Sequence, residues 1–180
     1  MYPKLIKPYV LSFCRSICRN EPVWVSMRPL LDKPIDECFS IVPEHAIMSG
    51  GKQCNGWAIW EWPKVFIEAE FHCVWEDPAG ELLDLTPKSD PTDKILFLPD
   101  SKRPYKGIRI ENIRKPLSRD KDIERFLSLA HERHAEFSRI VKPGYYGEFT
   151  YSAKALSIEN DMKMLQHRLC IKYGNPCATH

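Results

Sequence analysis

A chain of 180 residues, 43% hydrophobic and 28% charged, suits one globular domain with a sizeable core and leaves little room for two. Its 26 basic and 24 acidic residues give a net charge of +2, which supplies no overall pull towards nucleic acid or an anionic membrane. No apolar run approaches the roughly 20 residues that span a bilayer, and Met1–Pro8 has no apolar signal core, so the expectation is a cytoplasmic protein with no membrane partner.

Fifteen prolines and eight glycines predict short elements. Residues 8–19 set Tyr9, Val10, Phe13 and Ile17 at helical spacing. Glu21–Met27 reads as a short strand. Asp36 is the expected N-cap of a helix from Glu37 towards Met48, kinked or shortened by Pro43 and ended by Gly50-Gly51. Gly50–Gly56 then reads as a flexible loop. Strands are expected over Trp57–Trp62, Val65–Glu76, Leu82–Leu85, Lys94–Leu98 and Gly107–Ile113. Asp120–Ile140 carries Ile123, Phe126, Leu127, Leu129 and Ala130 on one side, and is the clearest helix. Tyr145–Tyr151 is aromatic, a strand or an ordered loop. Ser157–Lys172 is a last helix with Ile158, Met162, Leu165 and Leu169 as its buried stripe, and residues 174–180 form a loose tail. Consecutive strands flanked by helices point to an α+β domain over 1–180. Its expected core is a mainly antiparallel, short-stranded sheet under a Cys-bearing helix, with long helices in the C-terminal half.

Seven cysteines, an odd number with irregular spacings, argue against a disulfide scaffold. Cys14 with Cys18, His131 with His134, and Cys170 with Cys177 lack the paired spacing of a zinc site, so no metal is expected. Cys14 and Cys18 lie one helical turn apart and read as core thiols.

The chemistry concentrates in Asp36–Lys88. Cys38 lies at a helix start, where the dipole favours a thiolate while Asp36 and Glu37 oppose it, so activation needs an imidazole. Asp77-Pro78-Ala79-Gly80 is a type I turn that, with Gly80 left-handed, closes a three-residue hairpin loop. That register pairs Val74 with Asp84 and makes His72 and Asp84 diagonal neighbours, roughly 7–8 Å apart at the backbone. A four-residue loop would put them on opposite faces. Ala69, Phe71, Cys73 and Trp75 would face the core on the other side, leaving Cys73 structural. Asp84 would orient His72, and His72 would take the Cys38 proton. Cys54 is a rival nucleophile. Gln53 and Asn55 are candidate oxyanion donors beside the Cys38 amide, and Trp57 and Trp75 are candidate walls of a substrate groove.

The order Cys38, His72 in His-Cys-Val-Trp, and Asp84 in Leu-Asp-Leu-Thr-Pro resembles the papain-like, transglutaminase-like cysteine enzymes. The likeness covers Asp36–Lys88. A Glu precedes Cys38 where small residues are usual, no Trp follows it, and Pro43 interrupts the helix. The resemblance implies a Cys-His-Asp triad that attacks an amide, ester or thioester carbonyl of a peptide, protein or small substrate, with no cofactor. The alternative is a non-catalytic interaction domain on the same scaffold, binding an anionic partner through the basic 102–119 stretch. Nucleic acid is disfavoured by the near-neutral charge.

Overall fold

In the computed structural model the described residues are 1–89, 92–140 and 150–176. Helix α1 (Pro8–Ile17) leads to β1 (Val23–Met27), α2 (Cys38–Ser49), β2 (Lys52–Trp62), β3 (Phe66–Glu76), β4 (Leu82–Asp84), β5 (Lys94–Pro99) and β6 (Ile113–Pro116). Helices α3 (Lys121–Ile140) and α4 (Ala153–Tyr173) follow. The fold is α+β. The aromatic stretch 145–149 and the end of the tail, 177–180 with Cys177, lie outside the described residues. No helix among the described residues is long and apolar enough to cross a membrane.

Two compact units are formed. One contains Tyr2–Trp60 and Ala69–Tyr105; the other contains Met1, Glu61–Glu68 and the chain from Lys106 onward. The sheet runs β2-β5-β1-β4-β3-β6, and a further β2–β3 pairing closes the first five strands into a barrel. Its inner face buries Val25, Met27, Ala58, Val74, Ile95 and Phe97. The alternation of strand side chains puts these residues on one side and charges or helix-facing residues on the other.

This sheet differs from the expected one in two respects. β1 and β4 pair in parallel, with Ser26 opposite Leu83 and Met27 opposite Asp84, while β1–β5, β2–β5 and β3–β4 are antiparallel. The chain leaves β1, forms α2 and the β2–β3 hairpin, and returns in the same direction, which a local hairpin cannot do. Strands β2 and β3 each run 11 residues rather than being short.

Local differences have local causes. α2 starts at Cys38 with Glu37 as N-cap; Asp36 instead takes a φ of 61° and donates its N–H to Pro87 O at 3.1 Å. α2 also runs through Pro43 to Ser49. Gly107–Asn112 is not a strand; β6 begins at Ile113, and Asn112 and Arg114 are tied to Glu68 at 2.7 and 2.5 Å. In the second unit α3 and α4 bury Leu129, Ala130, Ile158, Met162 and Leu165 together, the stripe that helical spacing marks.

Candidate functional site

The Asp77–Glu81 turn sets the geometry. Asp77 Oδ1 accepts from the N–H groups of Ala79 and Glu81, both at 2.8 Å, and Gly80 takes a φ of 89°. Asp77 N–H donates to Glu81 O at 2.9 Å, and the ladder continues as Glu76 opposite Leu82 and Trp75 opposite Leu83. The ladder ends there, so β3 at Cys73 and His72 has no β4 partner.

Extending that register by one step sets Val74 opposite Asp84, and His72 and Asp84 meet diagonally. His72 Nε2 lies 2.9 Å from Asp84 Oδ2, with 4% and 0% of the two residues exposed. A carboxylate only accepts, so Nε2 donates to it and Nδ1 is the ring position away from Asp84. Asp84 is held on its other side as well: Oδ1 accepts from Thr86 N–H at 3.0 Å, and its carbonyl accepts from Arg28 N–H at 2.8 Å. The Asp-Leu-Thr string is therefore an Asx turn closing on its own backbone.

Cys38 is the first residue of α2, 4% exposed, in a cluster with Val42 and Cys73 against which Phe39 and Trp75 pack. Its thiol acts electrostatically on the His72 ring. The helix thus lies on the face of β3 that carries Phe71 and Cys73, with Phe39 stacked on Phe71 at 5.4 Å. That reverses the expected orientation, in which this face looked away from Cys38.

Electrostatics follow from this enclosure. Burial by itself pushes the His72 imidazole down, but the Asp84 carboxylate and then the Cys38 sulfur more than reverse it, and the pKa is raised. Burial likewise pushes Asp84 up, and His72, Lys88 and the Thr86 amide bring it below the ordinary carboxylate range. The pair is therefore an imidazolium facing a carboxylate.

The other candidates fall elsewhere. Gln53, Cys54 and Asn55 belong to β2 and not to a loop, because the β2–β3 pairing extends down to Lys52, whose Nζ meets Glu76 at 2.9 Å. Cys54 packs against the inner-face cluster, and its thiol is pushed up by burial and by Glu76. Asn55 Oδ1 is buried without a partner. Trp57 is fully buried and donates from Nε1 to Asp100 Oδ2 at 3.2 Å, so it is core and not a groove wall. Trp75 is partly buried, donates to Gly50 O at 3.0 Å and meets His45 edge-on. Cys14 is core on α1, and Cys18 lies against Pro99 O. His131 is paired with Glu111, and His134 contacts Ser138. No group of three or more His, Cys, Asp or Glu side chains suited to a metal occurs among the described residues.

Two residues of the site have no signature in the sequence. Tyr2, stacked on Trp60 at 4.0 Å, has a buried hydroxyl with no partner, and its phenol is pushed up by burial and then by Asp84 and Glu70. Lys88, its side chain 8% exposed, lies 3.7 Å from Asp36 and acts on Asp84. Nothing in residue spacing brings position 2 or position 88 to Asp84.

No protein-family model matches the chain, and no curated protein and no solved structure is similar to it.

Proposed function

We propose that the chain is a thiol-dependent hydrolase or acyl transferase of papain-like, transglutaminase-like type, with Cys38 as nucleophile, His72 as its base and Asp84 as the orienting acid. The observation that carries this reading is the His72 ring bonded to the Asp84 carboxylate at 2.9 Å and raised by the neighbouring Cys38 sulfur. Cys38 Sγ would attack the carbonyl carbon of an amide, ester or thioester, and His72 Nδ1 would hold the thiol proton. The leaving amine, alcohol or thiol would take that proton as the C–X bond breaks. The remaining thioacyl group would pass to water or to an amine. The first amides of a helix have no intrahelical acceptor, so the Cys38 N–H is the nearest donor to a developing oxyanion. Substrate entry requires side chains above the first turn of α2 to move, since Cys38 is 4% exposed.

That burial favours a second reading, a non-catalytic interaction domain on the same scaffold. Its expected basic stretch is partly committed: Arg103 sits over the Trp57 ring, Arg109 over Phe137, and Arg114 on Glu68. Lys102, Lys106, Lys115 and Arg119 are exposed.

Iodoacetamide separates the two. An enzyme should show one fast thiol at mildly acidic pH, mapped to Cys38 and slowed by His72→Ala. Uniformly slow thiols, with salt-sensitive retention on heparin, would support the binding domain.

A further inference from the structure

We propose that Cys38 is a site of reversible oxidation by hydrogen peroxide or an organic hydroperoxide, and that Cys73 closes on the oxidised sulfur as an intramolecular disulfide. This rests on the Cys38–His72 pair being a reactive thiol pair, and it adds a second residue and a second co-reactant.

Three observations carry it. First, Cys38 and Cys73 share one buried cluster with Val42, at 4% and 0% exposure, so no solvent layer intervenes around the two residues. The nucleophile and a resolving thiol are thereby brought from α2 and β3 to one place. Second, Cys54 packs on the inner-face cluster, which leaves Cys73 as the thiol clustered with Cys38. Third, after burial the Cys38 sulfur is the foremost group acting on the Cys73 thiol.

The steps balance. The Cys38 thiolate attacks one peroxide oxygen and the O–O bond breaks. The departing hydroxide or alkoxide takes a proton from the His72 imidazolium and leaves as water or alcohol. Cys38 is now a sulfenic acid. The Cys73 sulfur displaces its hydroxyl; that hydroxyl and the Cys73 proton leave as a second water, and the S–S bond forms. Each disulfide consumes one peroxide. Burial holds Cys73 as the protonated thiol, with its S–H donating to Val74 O at 3.9 Å, so it does not compete with Cys38 for the peroxide. Closure requires the two Cα atoms to come within disulfide range, about 4.4–6.8 Å.

The test uses the full chain. It is treated with hydrogen peroxide, quenched with iodoacetamide, and digested without reduction for peptide mapping. The expected result is a Cys38–Cys73 linked peptide that grows with peroxide and disappears with dithiothreitol. In Cys73→Ala, and in the volume-keeping Cys73→Val, Cys38 should alkylate as in the parent before oxidation. After peroxide these variants should instead give a dimedone-trapped sulfenic acid or a sulfinic acid at Cys38. Overoxidation of Cys38 in the parent without a linked peptide, or a Cys38–Cys54 link, would overturn the inference while leaving the thiol pair standing. If Cys38 reacts with neither iodoacetamide nor peroxide, the thiol pair itself falls, and this inference with it.

Discussion

Asp84 holds His72 across the β3–β4 boundary through a 2.9 Å contact between Oδ2 and Nε2, while its second oxygen is fixed by the Thr86 amide. Neither oxygen is free to swing away. The ring therefore has one orientation, with Nδ1 turned away from Asp84.

Asp84→Asn keeps the shape of the side chain and removes its charge. Iodoacetamide alkylation of Cys38 and any acyl transfer by it should fall by roughly 100- to 10,000-fold, because the imidazolium loses its counter-charge. Asp84→Ala should in addition cost about 3–5 kcal/mol of stability, since it leaves a buried charge unpaired. Alkylation rates and urea titrations of the two variants measure these effects separately.

The pair also sets a pH window for stability. His72 is raised in the fold, so its contribution is complete below the ordinary histidine value of 6.5 and is lost as pH rises through its folded value, about 10. Asp84 is lowered, so its contribution is complete above the ordinary value of 3.8 and is lost as pH falls through its depressed value. The unfolding free energy of the parent minus that of a His72→Gln, Asp84→Asn double variant should be largest between these two ordinary values. It should decline on both sides. A difference that grows steadily from pH 6 to pH 9 would contradict this assignment of charge.

The turn that aligns the pair can be weakened without touching it. Gly80 has a φ of 89° and open space where a Cβ would go, so Gly80→Ala tests the backbone alone and should cost about 1–2 kcal/mol. Asp77→Ala removes the acceptor for two amides and should cost a similar amount, about 1–2 kcal/mol. Thermal melts check both, and Cys38 reactivity well below the melting temperature should survive.

How much of this was legible from residues depends on how local the determinant is. The turn Asp77-Pro78-Ala79-Gly80 carries its own geometry, so the register of β3 on β4, and with it the His72–Asp84 contact, follows from four residues. The buried stripes of α3 and α4 are equally local, a matter of periodicity. The face of β3 that receives α2 is not local. No spacing reveals it, and the expected face was the opposite one. Gln53–Asn55 read as a loop because Gly50-Gly51 and polar residues mark turns; the long β3 partner overrides that preference. The parallel β1–β4 pairing and the influence of Asp84 on Tyr2 join residues far apart in the chain, invisible to any window.

Cys54→Ser discriminates between the two candidate nucleophiles. Cys54 lies on the inner-face side with its thiol pushed up by burial, so the rate of the fast alkylation should be unchanged in this variant and abolished in Cys38→Ser. Loss of the fast phase in Cys54→Ser alone would transfer the role to Cys54.

The most direct measurement is acyl-enzyme trapping. The full chain is mixed with p-nitrophenyl acetate, quenched in acid, and mapped by mass spectrometry. The account predicts one acetyl group, on Cys38, formed in a burst of p-nitrophenol. It should be absent in Cys38→Ser and strongly slowed in His72→Ala. Acetylation scattered over lysines, or placed on Cys38 at the same rate with and without His72, would contradict the Cys38–His72–Asp84 assignment.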